Sequence, residues 1–166
     1  MCIKIDDPQI QFSDSKSKID FQQLLSLFKI GAFWAQERTK EDLETAIANS
    51  EPAISVWDRE RLIGFARATS DEVYRATIWD VVIHPEYRGI GLGGKLVETV
   101  LSHPRISKVE RVYLMTTHQQ KFYEHIGFEE NQTTTMVLHN SCSTKVITNP
   151  DLQLQKKHKE LNTVAV

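Results

Sequence analysis

An extended apolar run, Val81-Val82-Ile83, leads through His84-Pro85-Glu86-Tyr87 into Arg88-Gly89-Ile90-Gly91-Leu92-Gly93-Gly94-Lys95, where helical periodicity begins. Gly89, Gly91, Gly93 and Gly94 let the main chain approach a ligand without side-chain obstruction. The start of a helix also presents amides that have no intrahelical acceptor. Arg88 adds a mobile positive charge, and Lys95 is a second candidate cation. Such a donor set is a cradle for a phosphate or diphosphate. The plainer alternative is a tight glycine-rich turn beside a solvated arginine. Two better-known nucleotide motifs do not apply. Gly94-Lys95 is followed by Leu96, so the hydroxyl that Walker A needs for magnesium is missing. Gly89 to Gly94 matches GxGxxG as text, but HPEYR separates it from the strand, and the acidic candidate Glu110 stands at the beginning of the next strand instead of ending it.

Asp80 stands inside an apolar extended run, where an acidic residue is uncommon without a partner. Simple alternation puts it on one face with Ile78 and Val82. The six histidines, at 84, 103, 118, 125, 139 and 158, show no HExxH or repeated ligand spacing, so no metal site is expected. Trp34, Trp57 and Trp79 are candidates for an aromatic pocket, with core or hairpin packing as the plainer alternative.

These residues need elements to position them. Residues 8–13 alternate as a first strand. Phe21, Leu24, Leu25 and Phe28 recur at helical period within 19–33, with Asp14 or Ser15 as the expected cap. A second helix is expected over 41–48, with Thr39 and Asp42 in capping-box spacing. Strands follow at 53–57 and 62–69, joined by the polar residues 58–61 as a hairpin, and at 76–83, stopped by Pro85. A helix over 91–101, a strand over 109–115, a short helix over 118–125 and a last strand over 133–138 complete the order. This succession of helices, antiparallel meander and strand–helix–strand–helix–strand predicts a mixed α/β sheet with helices on its faces.

The 166 residues suit one domain, here 1–140, followed by a polar tail over 141–166 with Lys145, Lys156, Lys157 and Lys159. With 40% hydrophobic and 25% charged residues, the chain has material for a core and is not globally disordered. A net charge of -2 gives no overall basic field, so neither nucleic acid nor an anionic membrane is an expected partner. Cys2 and Cys142 stand far apart and near no motif, which favours a reducing compartment. No apolar run reaches membrane-spanning length, and the start lacks secretory signal features. The expected location is the cytoplasm, or the plastid stroma for a chain made inside that organelle.

Arg88-Gly89-Ile90-Gly91-Leu92-Gly93, preceded by the valine-rich strand with Pro85 and Tyr87, resembles the acetyl-CoA-binding motif of the GNAT acyltransferases. Phe122-Tyr123-Glu124-His125-Ile126-Gly127-Phe128 resembles that family's later signature, and the likeness runs over approximately residues 8–138. Ala66-Arg67-Ala68-Thr69-Ser70-Asp71 and Thr77-Ile78-Trp79-Asp80-Val81 are similar to the plastid and cyanobacterial branch that includes plant serotonin N-acetyltransferases. Members of that branch are also associated with protein lysines and N-termini. The resemblance implies a GNAT-like fold, with a mostly antiparallel central sheet and helices on both faces.

The resemblance further implies acetyl-CoA as cosubstrate and a primary amine, on a small molecule or a protein, as acceptor. The protein would be a monomer or homodimer. The diphosphate would lie on the turn formed by Arg88, Gly89, Ile90, Gly91, Gly93, Gly94 and Lys95. The pantetheine arm would pair with Val81, Val82 and Ile83. An alkylamine, with a reference pKa of about 10.4, must lose a proton before it can attack, and an acid assists the departing thiolate. Tyr123 holds the position of the acid. For the base, Asp80, His84, Glu37 and a water chain stay open, and Asp80 is equally readable as a structural anchor. A strand amide near Val82 could receive the developing oxyanion. With no cysteine near the motifs, direct attack is favoured over an acyl-cysteine. Thr116 and Gln119 replace the Asn and Ala that many members carry, so Thr116, Gln119 or Gln120 would have to supply that coenzyme contact. From another class, a catalytically silent acyl-CoA sensor remains the competing reading.

Overall fold

The computed structural model describes residues 9–133 and 135–138. Its sheet contains β1 (Ile10–Ser13), β2 (Ala53–Asp58), β3 (Arg61–Ser70), β4 (Arg75–Ile83) and β5 (Arg111–Tyr113), in that spatial order. The first three pairings are antiparallel, and β4 with β5 is parallel. Four helices flank it: α1 (Phe21–Gly31), α2 (Lys40–Ala48), α3 (Leu92–Ser102) and α4 (Gln120–Glu124). This is the mixed α/β, mostly antiparallel architecture that the element order implies.

Alternation along the strands divides the apolar side chains into two cores. Leu92, Leu96, Val97 and Val100 of α3 pack on Ile54, Val56, Ile63, Ala66, Ile78 and Ile83 of the sheet. Leu24, Leu27 and Phe28 of α1, with Leu43 and Ile47 of α2, pack on Ala53, Leu62, Phe65 and Val82 on the other face. The sheet is therefore sandwiched, and β4 contributes to both layers.

Local chemistry explains most element boundaries. Asp20 caps α1 by accepting from the amides of Gln22 and Gln23 at 2.9 and 3.1 Å, so the cap is neither Asp14 nor Ser15. A short 3-10 turn over Lys16–Lys18 lies between those two candidate caps and the helix. Thr39 caps α2 through the amide of Asp42, as its spacing predicts. The hairpin is tighter than a four-residue link: Asp58 pairs with Arg61, and Arg59 turns the chain with φ of 54°.

Two expected strands differ. β5 covers only Arg111–Tyr113 of the expected 109–115, because its parallel pairing with Arg75, Ala76 and Thr77 ends there. The expected strand over 133–138 is not formed at 135–138, and Thr134 lies outside the described residues. The chain divides into compact units Met1–Glu130 and Asn131–Val166. The tail over 141–166, Cys2 and Cys142 lie outside the described residues.

Phe65, which pairs with Val82 across β3 and β4, meets Phe28 of α1 edge-on at a 6.0 Å centroid distance. Both rings are fully buried. Phe65→Ala should lower stability by about 3–5 kcal/mol through lost burial and a residual cavity. Chemical denaturation should report this as a lower midpoint with little change in slope.

Candidate active site

β4 reaches the glycine turn with one edge released. Its pairing with β5 stops at Thr77, and no described strand pairs with residues 78–83 on that side. The other edge stays bonded to β3 through Ile83. A splayed parallel pair thus leaves a stretch of main chain beside Trp79–Ile83 available to a ligand.

That stretch is also bent. Phe65 pairs with Val82 and Arg67 with Trp79, which leaves Asp80 and Val81 together opposite Ala66. This is a β-bulge, and Asp80 takes φ of 58° within it. Asp tolerates left-handed geometry better than the β-branched residues around it. The extra residue reverses the alternation. Ile78 stays with the α3-side core, whereas Val82 joins the α1-side core. Asp80 therefore shares a face with Val82 but not with Ile78, a correction that uniform alternation could not supply.

The Asp80 side chain is 4% exposed and accepts from two arginines. Arg38 Nη2 reaches Oδ1 at 2.6 Å, and Arg67 Nε reaches Oδ2 at 2.6 Å. Arg38 also lies over the Phe28 ring at 5.1 Å and Arg67 over Trp79 at 5.9 Å. Arg67 Nη1 donates to the Ser50 hydroxyl, which donates in turn to the carbonyl of Ala46. Burial alone pushes the Asp80 carboxyl up, but the bonds and charges of Arg38 and Arg67 outweigh it and hold the group below its ordinary range. Such a carboxylate stays ionised and gives up little basicity to an incoming proton.

The glycine turn has the required free donors. Among the described residues, the N–H groups of Gly89, Ile90, Gly91, Leu92, Gly93 and Gly94 have no protein acceptor. Gly91 is the cap residue of α3, and Gly89 and Gly91 take φ of 78° and 90°. Only glycine adopts such angles without strain, so the sequence folds locally into a nest of outward amides. Lys95 is exposed in the first turn of α3. Arg88 is exposed and bonded to main-chain carbonyls. Its Nε donates to the carbonyl of Ile83 at 3.0 Å and its Nη2 to that of Gly31 at 2.9 Å. These residues fit a diphosphate through the backbone of the turn.

Tyr123 sits in α4, packed against the α3-side core. Its neighbour Phe122 rests on the turn, because a Cβ at Gly93 would meet the Phe122 ring at 3.3 Å. This contact brings α4 to the start of α3. The Tyr123 ring is flanked edge-on by Phe122 and Phe128. Its hydroxyl has no hydrogen-bond partner among the described residues, and burial raises its pKa. It is therefore a protonated donor at neutral pH.

The remaining candidates separate from this group. His84 is buried, and Arg61 Nη2 lies 2.8 Å from its Nε2. Its Nδ1 faces the Glu86 amide at 3.3 Å, so both ring nitrogens face donors and the single lone pair of the neutral ring is engaged in either tautomer. Burial lowers the His84 pKa and the Arg61 charge lowers it further. Glu37 is exposed in the α1–α2 connection. Thr116 spends its hydroxyl on the amide of Gln119, and Gln120 donates to the carbonyl of Thr117. Trp57 and Trp79 bond to Ser55 and Thr69 within the sheet, whereas Trp34 is half exposed beside Phe33. Arg38, Arg67 and Gly31 escaped sequence reasoning. Arg67, a cation inside the apolar word Ala66-Arg67-Ala68 one strand away from Asp80, carried a usable signal; Arg38 and Gly31 did not.

A family model described as "Acetyltransferase (GNAT) family" matches residues 19–128. The "Uncharacterized N-acetyltransferase ycf52-like" of Prochlorococcus marinus is 43% identical over 100 residues, 58% of this chain and 53% of that protein. The "Uncharacterized N-acetyltransferase ycf52" of Pyropia yezoensis is 35% identical over 133 residues, covering 76% of this chain and 74% of that one. A crystal structure from Xanthomonas campestris pv. campestris, described as belonging to the gnat family, superposes with a TM-score of 0.70 at 25% identity, covering 79% of this chain and 94% of that one.

Asp80→Asn leaves two partly buried guanidiniums without their counter-charge and should cost roughly 3 kcal/mol at pH 7. Because the folded pKa of Asp80 is depressed, its stabilisation is complete above the reference value of 3.8 and disappears as pH falls through the folded value. The gap between parent and Asp80→Asn, measured by denaturant titration, should therefore be constant from pH 5 to 8 and close below about pH 4.

Proposed function

The chain belongs to the GNAT acetyltransferase family, and from that premise we propose that it moves the acetyl group of acetyl-CoA to a primary amine by direct attack. The observation that carries this reading is the row of unpaired amides from Gly89 to Gly94, at the end of a strand that has no β5 partner from residue 78 onward. When bound, acetyl-CoA supplies an activated thioester. The amides at 89–94, with Lys95, would hold its diphosphate. Val81, Val82 and Ile83 would pair with the arm, and an amide near Val82 would face the thioester oxygen.

Tyr123 is the proposed acid. Its phenol is protonated at neutral pH, so it has a proton to give to a departing thiolate. The base is proposed to be water. Asp80 is ionised but committed to Arg38 and Arg67, and the His84 lone pair is engaged in either tautomer. Waters leading from the amine to solvent would carry its proton away, and activity would follow the amine's own ionisation.

For the acceptor, an arylalkylamine such as serotonin is the first choice. Support comes from the Phe33 and Trp34 rings, which meet edge-on at 5.1 Å and remain exposed, next to the connection held at Asp80. Exposed aromatic faces suit an indole or phenyl group. The second choice, a protein lysine or N-terminus, is favoured by the 68% exposure of Phe33, since an open surface accommodates a chain as readily as a small ring. Relatives in Prochlorococcus and Pyropia, both photosynthetic, support the cytoplasm or plastid stroma as the compartment.

The deciding experiment is release of free coenzyme thiol from acetyl-CoA across arylalkylamines and lysine peptides. Tyr123→Phe should lower kcat by roughly 100-fold, in the range of lost acid catalysis, with the acetyl-CoA Kd held within about threefold. Asp80→Asn should keep the acidic limb of the pH–rate profile, because that limb belongs to the amine. Disappearance of the limb in Asp80→Asn would make the carboxylate the base after all. Tight acetyl-CoA binding without thiol release on any amine would favour an acyl-CoA-binding module.

A further inference from the structure

Within the α1–α2 connection, residues 32–39, the segment 32–37 is fastened at both ends to the same short stretch of β4. At its beginning, the Gly31 carbonyl accepts from Arg88 Nη2 at 2.9 Å, while Arg88 Nε bonds to the Ile83 carbonyl at 3.0 Å. A Cβ on Gly31 would lie 2.7 Å from Val82 Cγ2, 3.4 Å from Arg88 Nη2 and 3.6 Å from the Ile83 oxygen. The end of α1 and the end of β4 are thus in direct backbone approach, with Arg88 stitched across them. At the other end, Arg38 is bound to Asp80. Between the two fastenings, Ala32 and Ala35 are buried in the α1-side core and Phe33 and Trp34 point outward.

We infer that Arg88 is a positioning residue: it acts by seating residues 32–37 as the acceptor-side strap along Asp80–Ile83, and not by contacting the diphosphate. Both of its described bonds go to main-chain carbonyls, and the turn it precedes already offers six unpaired amides to an anion. A guanidinium bonded to two carbonyls in fixed directions is well suited to hold two segments in register. Its removal frees the strap at one end while Asp80 retains the other. The kinetic part of this inference rests on the acetyl-transfer reading, but its structural part does not.

The test uses the full chain with Arg88→Ala, Arg88→Lys and Gly31→Ala. Chymotrypsin cleavage after Phe33 and Trp34 reports whether the strap is seated, with no reliance on activity. Arg88→Ala should speed that cleavage by about tenfold, the factor expected from losing one charge-assisted bond. The same variant should raise the amine KM by about tenfold and leave the acetyl-CoA Kd, measured by calorimetry, within threefold of the parent. Arg88→Lys, able to reach one carbonyl, should recover part of both effects. Gly31→Ala, which alters no charge, should mimic Arg88→Ala in cleavage and amine KM. Unchanged cleavage in both Arg88→Ala and Gly31→Ala overturns the inference. So does a tenfold weaker acetyl-CoA Kd in Arg88→Ala with unchanged amine KM, which would assign Arg88 to the diphosphate. If no amine is turned over, the acetyl-transfer reading fails, and cleavage with coenzyme binding still decides the role of Arg88.

Discussion

A carboxylate almost wholly removed from water has to be paid for by its partners, and the site is organised around that requirement at Asp80. Burial disfavours its charge, and two guanidiniums at 2.6 Å reverse the balance. One comes from the neighbouring strand and one from the connection between α1 and α2. The triad therefore locks three separate parts of the chain at the bulge where β4 changes its facing. A neutral side chain at position 80 would leave Arg38 and Arg67 inside the protein without a counter-charge, so the three residues stand or fall together.

The bulge has a second consequence. Without the extra residue, β4 would send residue 80 toward α3 and residue 81 toward α1. With it, Val81 and Ile83 pack under α3, and Asp80 and Val82 face α1. The strand thereby commits apolar groups to both cores while its main chain stays free along one edge. Strand edges are normally covered or blunted. Here the unpaired edge leads, past the Ile83 carbonyl that accepts from Arg88, to a turn whose amides are also unpaired. α4, which carries Tyr123, is brought to the turn by packing, because Phe122 rests on Gly93, where a Cβ would meet its ring at 3.3 Å.

Legibility in the sequence followed the range of the physics involved. The glycine turn was readable because its shape depends on local backbone freedom, and Gly89 and Gly91 do take positive φ. The meander and the three longer helices were readable from periodicity, since their apolar positions face one layer each. The start of α1 was misread because Asp14, Ser15 and Asp20 all have capping chemistry, and only packing chooses among them. β5 was over-extended because Val109 to Met115 alternates well past the point where its partner strand diverges. Asp80 was flagged as unusual, but its partners lie 42 and 13 residues away, and no local pattern connects them. The reversal of facing at the bulge escaped for the same reason: alternation assumes a register that only the neighbouring strand can set.

Electrostatics also distinguishes the two arginines that a motif-level reading would treat alike. Arg38 and Arg88 both lie near the free edge of β4, and either could be supposed to wait for an anion. Arg38 is bonded to Asp80, a counter-charge it shares with Arg67, so its donors are directed inward. Arg88 is bonded to neutral carbonyls and keeps its full charge, but the directions of its donors are fixed by Ile83 and Gly31. Its field therefore reaches a bound anion without its hydrogen bonds doing so. A long-range field is weakened by solvent and salt, whereas the backbone amides of the turn act at contact distance. The division of labour proposed for the site follows from this contrast: the amides would hold an anion, while the guanidiniums are already bonded within the protein.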